Sequence, residues 1–141
     1  MNVTKDLIYQ FINLQKLGVV STIDPENKPE AALVGIAISA DLEIIFDTVS
    51  ASRKYKNILR QPDIAVVIGW DNEITVQYEG RAEVLGDGDK ADSLRAVYYQ
   101  AYPDGRERAA TWPGLVHIKI TPRWIRYSDF NSPLVIEELS F

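Results

Sequence analysis

At 141 residues, 46% hydrophobic and 25% charged, the chain has the size and composition of one globular domain spanning residues 1–141, outside the low-hydrophobicity regime of disordered proteins. A net charge of −5 excludes the broad basic surface that nucleic acids and anionic membranes require, so any anion site has to be local. The absence of cysteine excludes disulfides, thiolate metal centres and thiol nucleophiles, and a reducing cytoplasm is the expected compartment.

The opening segment carries Lys5, Asp6 and Lys16 among its apolar residues and lacks the unbroken apolar run and small-residue cleavage site of an export signal. No stretch reaches the length of a membrane-spanning helix. Leu7, Ile8, Phe11, Ile12 and Leu14 recur near helical spacing, which predicts an amphipathic helix with Thr4 as N-cap and Gly18 near its end. From Val19 to Ile23 the residues are β-branched and predict a strand, followed by a turn over Asp24-Pro25-Glu26-Asn27-Lys28. A second strand runs from Glu30 to Ser39 and, after the Ala40-Asp41 turn, a third from Leu42 to Thr48.

Ser52 to Gln61 reads as a short helix stopped by Pro62. The apolar run Ile64 to Trp70 predicts a strand buried on both faces, turned by Asp71-Asn72-Glu73 into the next. In that next strand Ile74, Val76, Tyr78 and Gly80 form an apolar face and Thr75, Gln77, Glu79 and Arg81 a polar one. Asp89 to Tyr102 predicts a helix with Leu94, Val97, Tyr98 and Ala101 inward, ended by Pro103-Asp104-Gly105, and Val116 to Tyr127 a last strand. The apolar-acidic tail from Asn131 to Phe141 is expected to pack along the surface or against a partner subunit. Six strands, with helices at the start and in two connections, predict a mainly β (α+β) domain whose antiparallel sheet curls into a barrel and so removes its edges, an open sheet being the alternative.

Between Ser52 and Arg60 stand Arg53, Lys54 and Lys56 with no acid among them, although acids outnumber bases in the chain. The positive end of a helix dipole disfavours cations in its first turns. A bound anion, held by backbone N–H groups, the Ser52 hydroxyl and the Lys54 ammonium, would offset this and makes the segment a candidate phosphate site. The alternative is a helix merely capped by Ser52, its basic side chains in water or paired with Asp47 and Asp63.

Gln77, on a polar strand face, offers an amide donor and acceptor to a heterocycle, or is a plain exposed strand residue. Trp124 and Arg126 share a strand face and set an aromatic plane beside a guanidinium, or pack across strands. The single histidine, His117, excludes a two-histidine metal site, no nucleophile motif accompanies it, and it reads as an ordinary strand residue. The carboxylates are scattered without a pair that one cleft would hold, so hydrolysis has no support.

The order opening helix, three strands, Asp47-Thr48, Ser52-Arg53-Lys54-Tyr55-Lys56-Asn57-Ile58, Pro62, strand and Val76-Gln77-Tyr78-Glu79-Gly80 resembles the pyridoxamine 5'-phosphate oxidase-like family, the FMN-binding split barrels. The resemblance runs from about Leu7 to Tyr127 and implies a six-stranded antiparallel split β-barrel with flanking helices. It implies FMN as cofactor, its phosphate held by Thr48, Ser52, Arg53, Lys54 and Asn57, with Gln77 near the flavin ring. It further implies a homodimer with flavin at the subunit interface, where Trp124, Arg126 and the tail serve the neighbouring site.

Two departures accompany the resemblance. The second strand opens Pro29-Glu30-Ala31-Ala32-Leu33, where the oxidase that makes pyridoxal phosphate has an arginine of its phosphate clamp, and the C-terminal Arg-Leu-x-Pro segment of that enzyme is absent. Pyridoxamine phosphate oxidation is therefore not expected. The function the resemblance implies is a flavin-dependent oxidoreductase acting on a small molecule, with its substrate and catalytic residues open. The alternatives are a non-catalytic flavin-binding or stress-related protein and a reductase using the deazaflavin F420; heme binding, possible in relatives of the fold, would have to use the single His117 and carries little weight.

Overall fold

The computed structural model describes residues 4–141; residues 1–3, where the segment read as lacking an export signal begins, lie outside the described residues. Helix α1 (Lys5–Leu14) starts where expected, because Thr4 Oγ1 accepts the Leu7 N–H at 3.2 Å and satisfies one of the helix's free donors. Ile8 and Ile12 are buried, but Leu14 is exposed: at 100° per residue it lies roughly 120° round the helix from Ile8 and misses the core-facing stripe.

Strands β1 (Leu17–Ile23) and β2 (Pro29–Gly35) form a hairpin, its turn held by Asp24 Oδ1 accepting from Glu26 N–H at 2.8 Å and Lys28 N–H at 2.9 Å. The chain continues through β3 (Ala37–Ile38), β4 (Ile44–Val49), α2 (Arg53–Arg60), β5 (Asp63–Ile68), β6 (Ile74–Val84), α3 (Asp89–Ala101), α4 (Gly105–Thr111), β7 (Leu115–Asp129) and β8 (Val135–Ser140). The sheet runs β2-β1-β5-β6-β7-β4-β3, with β8 added on β7, and every pairing is antiparallel. β2 and β3 lie at opposite ends of this order, yet Ile36 alone separates them in the chain. The sheet therefore has to curl until its ends meet, which makes it a split barrel and divides the single strand expected from Glu30 to Ser39 into two.

Three further differences follow from tertiary context. β5 alternates, with Ile64, Val66 and Ile68 buried and Ala65 and Val67 exposed, because a barrel strand covers only its inner face within the chain. The tail pairs with β7 of its own chain as β8, from Trp124↔Ser140 to Asp129↔Val135. Gly105–Thr111 forms the short helix α4 after the Pro103 break, in a stretch to which the sequence pattern assigned no element.

The barrel interior is filled by alternating residues, among them Val20, Phe46, Val66, Val76, Ile118, Ile120 and Ile125, closed at one end by Ile8 and Ile12 of α1 and reached by Ile58 of α2. Tyr78 stands in this core with its hydroxyl 2.6 Å from the Leu42 carbonyl and 3.0 Å from that of Ile120, and burial pushes its phenol far above the ordinary range. A smaller cluster of Ala37, Ile45, Leu94 and Tyr98 attaches α3 to the outer side of β4. Elsewhere the outer face is open: the register aligns Leu33, Val19, Val67, Gln77, Arg126 and Glu138 in one row across β2, β1, β5, β6, β7 and β8. Its first half is apolar, with Leu33 60% and Val67 43% exposed.

Candidate functional site

Helix α2 begins at the end of β4 because Ser52 is an extended N-cap whose Oγ accepts the Tyr55 N–H at 3.2 Å. Buried Thr48 hydrogen-bonds that same hydroxyl at 3.0 Å, so the last turn of the strand fixes the first turn of the helix. The next two N–H groups, of Arg53 and Lys54, have no acceptor inside the helix. The first turn holds no acid.

The partners of the basic side chains differ from those the sequence offered. Asp47 pairs with Arg108 at 3.1 Å and Asp63 with Arg123 at 3.2 Å, leaving neither for α2. Arg53 instead pairs with Glu30 of β2, and Arg60 donates to the carbonyls of Ile23 and Asp24 at the β1–β2 turn. Lys54, half-buried, has no ion-pair partner among the described residues and lines one cavity with Arg53, Glu30, Thr22 and Ala32. Asn57 is buried, its amide donating to Glu30 Oε1 at 2.7 Å and Thr22 Oγ1 at 3.0 Å, so it braces the cavity wall.

Among the residues lining the cavity, an ammonium without an ion-pair partner among the described residues, a guanidinium and two N–H groups at a helix start fit a phosphate, while Ser52 and Thr48, bonded to each other, stand behind this lining. The cavity measures about 230 Å³, smaller than the ~300–1,000 Å³ that encloses a whole cofactor. That volume has room for a phosphate and a short attached chain but not for a whole ring system. Alanine at position 32 puts no charge at the wall. A larger cavity, about 430 Å³, lies between α1 and α3 over β3; its one cation, Lys16, has its ammonium 5.9 Å from the Tyr102 ring.

Gln77, Trp124 and Arg126 are brought together, but on the outer face, away from α2. Gln77 is exposed and lies between Val67 and Arg126 in register. The Arg126 guanidinium sits 5.4 Å from the Trp124 ring centre, and Glu138 of β8 accepts from Trp124 Nε1 at 3.2 Å and Arg126 Nε at 2.9 Å. These two donors hold the Glu138 carboxyl below its usual range.

Sequence reasoning missed two groupings. Glu30 becomes a site residue only once the hairpin register sets it opposite Thr22, facing Arg53 across the β1–β2 edge. His117 is a strand residue with unusual surroundings: it is 5% exposed, its Nε2 has no hydrogen-bond partner among the described residues, and the rings of Tyr98 and Tyr99 stand edge-on to it at 5.5 and 5.4 Å. Burial lowers its basicity, with Arg95 and Arg108 acting the same way and Asp47 opposing them. The Asp47↔His117 pairing of β4 with β7 was the signal, invisible without the sheet order.

Residues 4–129 match the pyridoxamine 5'-phosphate oxidase family, and the chain belongs to that family. No curated protein matches it significantly. Among solved structures it is similar to General Stress Protein 26 from Bacillus anthracis, with 26% identity and a TM-score of 0.74 over 97% of this chain and 98% of that one. A heme binding protein from Mycobacterium smegmatis superposes with a TM-score of 0.82 at 14% identity, over 99% of this chain, which spans 59% of that protein's length. A pyridoxamine 5'-phosphate oxidase-related, FMN binding protein from Nostoc punctiforme gives a TM-score of 0.66 at 12% identity, over 89% and 86% of the two chains.

Proposed function

We propose that this chain binds a flavin by its phosphate, with FMN as the reference cofactor, and uses it in oxidoreductase chemistry on a small molecule. The observation that carries this reading is Lys54, uncommitted to any carboxylate among the described residues and lining one cavity with Arg53 of the first turn of α2. Membership of a family with an FMN-binding relative supports it. Bound flavin supplies the hydride or electron transfer. The chain binds and orients: Lys54 neutralises phosphate charge, the Arg53 and Lys54 N–H groups and the Ser52 hydroxyl fix its position, and Thr48 fixes Ser52.

The test is a titration of purified protein with FMN, followed by flavin absorbance and fluorescence. Lys54→Ala is expected to weaken binding by the loss of one charge-assisted contact, roughly 1.5–3 kcal/mol or about 10- to 150-fold. Unchanged affinity in that variant would refute the phosphate assignment.

The apolar half of the outer row supports a homodimer. Exposed Leu33 and Val67, with half-buried Val19 between them, form an apolar strip beside Gln77 and Arg126, and apolar surface of this kind is covered by association. In the proposed dimer Gln77, Trp124 and Arg126 serve the ring of the flavin held at the subunit interface. Val67→Asp is then expected to convert a dimer into a monomer in sedimentation velocity; a wild-type protein that sediments as a monomer refutes the arrangement.

A second reading, flavin binding without turnover, is favoured by the cavity itself, where Glu30 is the one carboxylate and no histidine stands beside Arg53 and Lys54. The likeness to a general stress protein points the same way. Turnover of NAD(P)H by flavin-loaded protein with a generic acceptor separates the two readings. Heme ligation by His117 would require opening the Tyr98–Tyr99 enclosure.

A further inference from the structure

The cleft between α1 and α3 shares no lining residue with the cavity at α2. Its floor is the buried run Ile36-Ala37-Ile38-Ser39, and Ile12 of α1 with Val97 and Ala101 of α3 supplies apolar walls. The walls are fastened together at one end: the Tyr102 hydroxyl, just past α3, donates to the Lys16 carbonyl, just past α1, and the same carbonyl accepts the Ile36 N–H at 3.1 Å. The Tyr102 ring lies against Gly35, where a Cβ would come within 2.7 Å of a ring carbon, so the glycine makes that seat. At about 430 Å³ the cleft falls in the ~300–1,000 Å³ range of small-molecule sites.

The charge of its lining is balanced. No carboxylate lines the cleft among the described residues, and Lys16 is its one cation, the ammonium standing 5.9 Å from the Tyr102 ring. Both helices end at the cleft without a basic residue in the last turn, so each brings the carbonyl end of its dipole, roughly half a negative charge. Lys16, two residues past the end of α1, offsets them. A fully charged ligand would leave water here without a counter-charge, which is costly.

The rim is made of neutral polar groups: Asn13 and Gln15 at the end of α1, Gln100 of α3 and the Tyr9 phenol. Asn13 and Gln100 are exposed, so their amides are free to turn toward a ligand without loss to the fold. A side-chain amide sets a donor beside an acceptor. Its complement is the same pair reversed, an N–H next to a C=O, which it meets through two parallel hydrogen bonds.

We infer that this cleft binds an uncharged planar ring carrying adjacent N–H and C=O groups, a cyclic imide or lactam. The ring face lies on the apolar floor and walls, and Asn13 and Gln100 meet its polar edge. The assignment is independent of the phosphate site.

Four probes built on one pyrimidinedione ring test it by proton–nitrogen correlation NMR of the wild-type protein: thymine, which is uncharged; orotate, an anion; 5-aminomethyluracil, a cation; and 1,3-dimethyluracil, uncharged but without an N–H. Thymine is expected to shift the amide signals of Ala37, Ile38, Val97 and Ala101 saturably, with a Kd of about 1 mM or tighter, within reach of a ligand of its size. The other three are expected to bind at least about 5-fold more weakly, through uncompensated charge or lost hydrogen bonds. Asn13→Ala and Gln100→Ala are each expected to weaken thymine roughly 2- to 12-fold, the range of one net hydrogen bond.

No saturable thymine shift at these amides, or tighter binding of orotate, 5-aminomethyluracil or 1,3-dimethyluracil, overturns the inference, and these wild-type results decide it even if a variant fails to fold. Unchanged thymine affinity in both folded variants overturns it too. Shifts of the same signals with protein concentration alone would place a second copy in the cleft, again against the inference.

Discussion

Replacing Arg108 with methionine is expected to cost about 3 kcal/mol, near the lower end of what removing one member of a buried ion pair costs. Arg108 closes α4 onto the sheet: its Nε lies 3.1 Å from Asp47, another guanidinium nitrogen is 2.5 Å from Asp104, and a third is 3.1 Å from the Tyr98 hydroxyl. The Arg108 and Asp47 side chains are 19% and 16% exposed, so without Arg108 the Asp47 carboxylate faces buried His117 with no counter-charge. Urea unfolding at pH 8 measures the loss, and a cost below about 1 kcal/mol would show that water replaces the guanidinium.

The same substitution changes the response to acid. His117 has a folded-state pKa below its ordinary value of 6.5, so between the two values the unfolded chain binds more protons and stability falls as pH drops through that window. The charged and titratable groups around it are Asp47 on β4, Arg95, Tyr98 and Tyr99 on α3, and Arg108 on α4. Removing Arg108 leaves Asp47 to favour the imidazolium, which shrinks the depression and flattens the slope. Wild type should thus lose more stability between pH 7 and pH 5 than either Arg108→Met or His117→Gln. Equal losses in wild type and His117→Gln would show that other groups carry the acid sensitivity.

The second large effect is expected at Gly80. It sits where β6 and β7 shift register, Glu79 facing Trp124 but Gly80 facing Pro122, and a Cβ there would lie 2.3 Å from the Thr121 carbonyl oxygen and 2.9 Å from Ile120 Cγ2. The obstacle is partly backbone, which cannot step aside without breaking the longest strand pairing of the barrel. Gly80→Ala should cost about 3 kcal/mol or more, at the upper end of overpacking. Gly86→Ala, where nothing lies within 4 Å, should stay within about 0.5 kcal/mol. Comparable midpoints for the two variants in thermal unfolding would mean that the bulge relaxes freely.

The proposed flavin affinity rests on smaller terms than these. Lys54 lines the proposed phosphate cavity without belonging to the core. That separation lets the Lys54 variant be read without a folding correction, in contrast to Arg108 and Gly80.

What the amino-acid order determined by itself is local. Thr4 and Ser52 cap their helices, Asp24 closes its turn with its own side chain, Pro62 ends α2, and the alternation from Ile74 to Gly80 faces the barrel core, because each of these depends on residues only a few positions apart. The run Ser52-Arg53-Lys54 was likewise legible as a break with helix electrostatics. Tertiary structure decided what register and closure bring together. Ile36 splits one strand into two because the barrel must close there, Val67 is exposed because only one face of β5 meets the core, and the tail finds β7. Glu30 reaches Arg53 only through the β1–β2 register, and His117 is buried only because α3 and α4 fold back over β7. A carboxylate or an imidazole carries no mark of its surroundings in the sequence; its charge acquires meaning from partners tens of residues away.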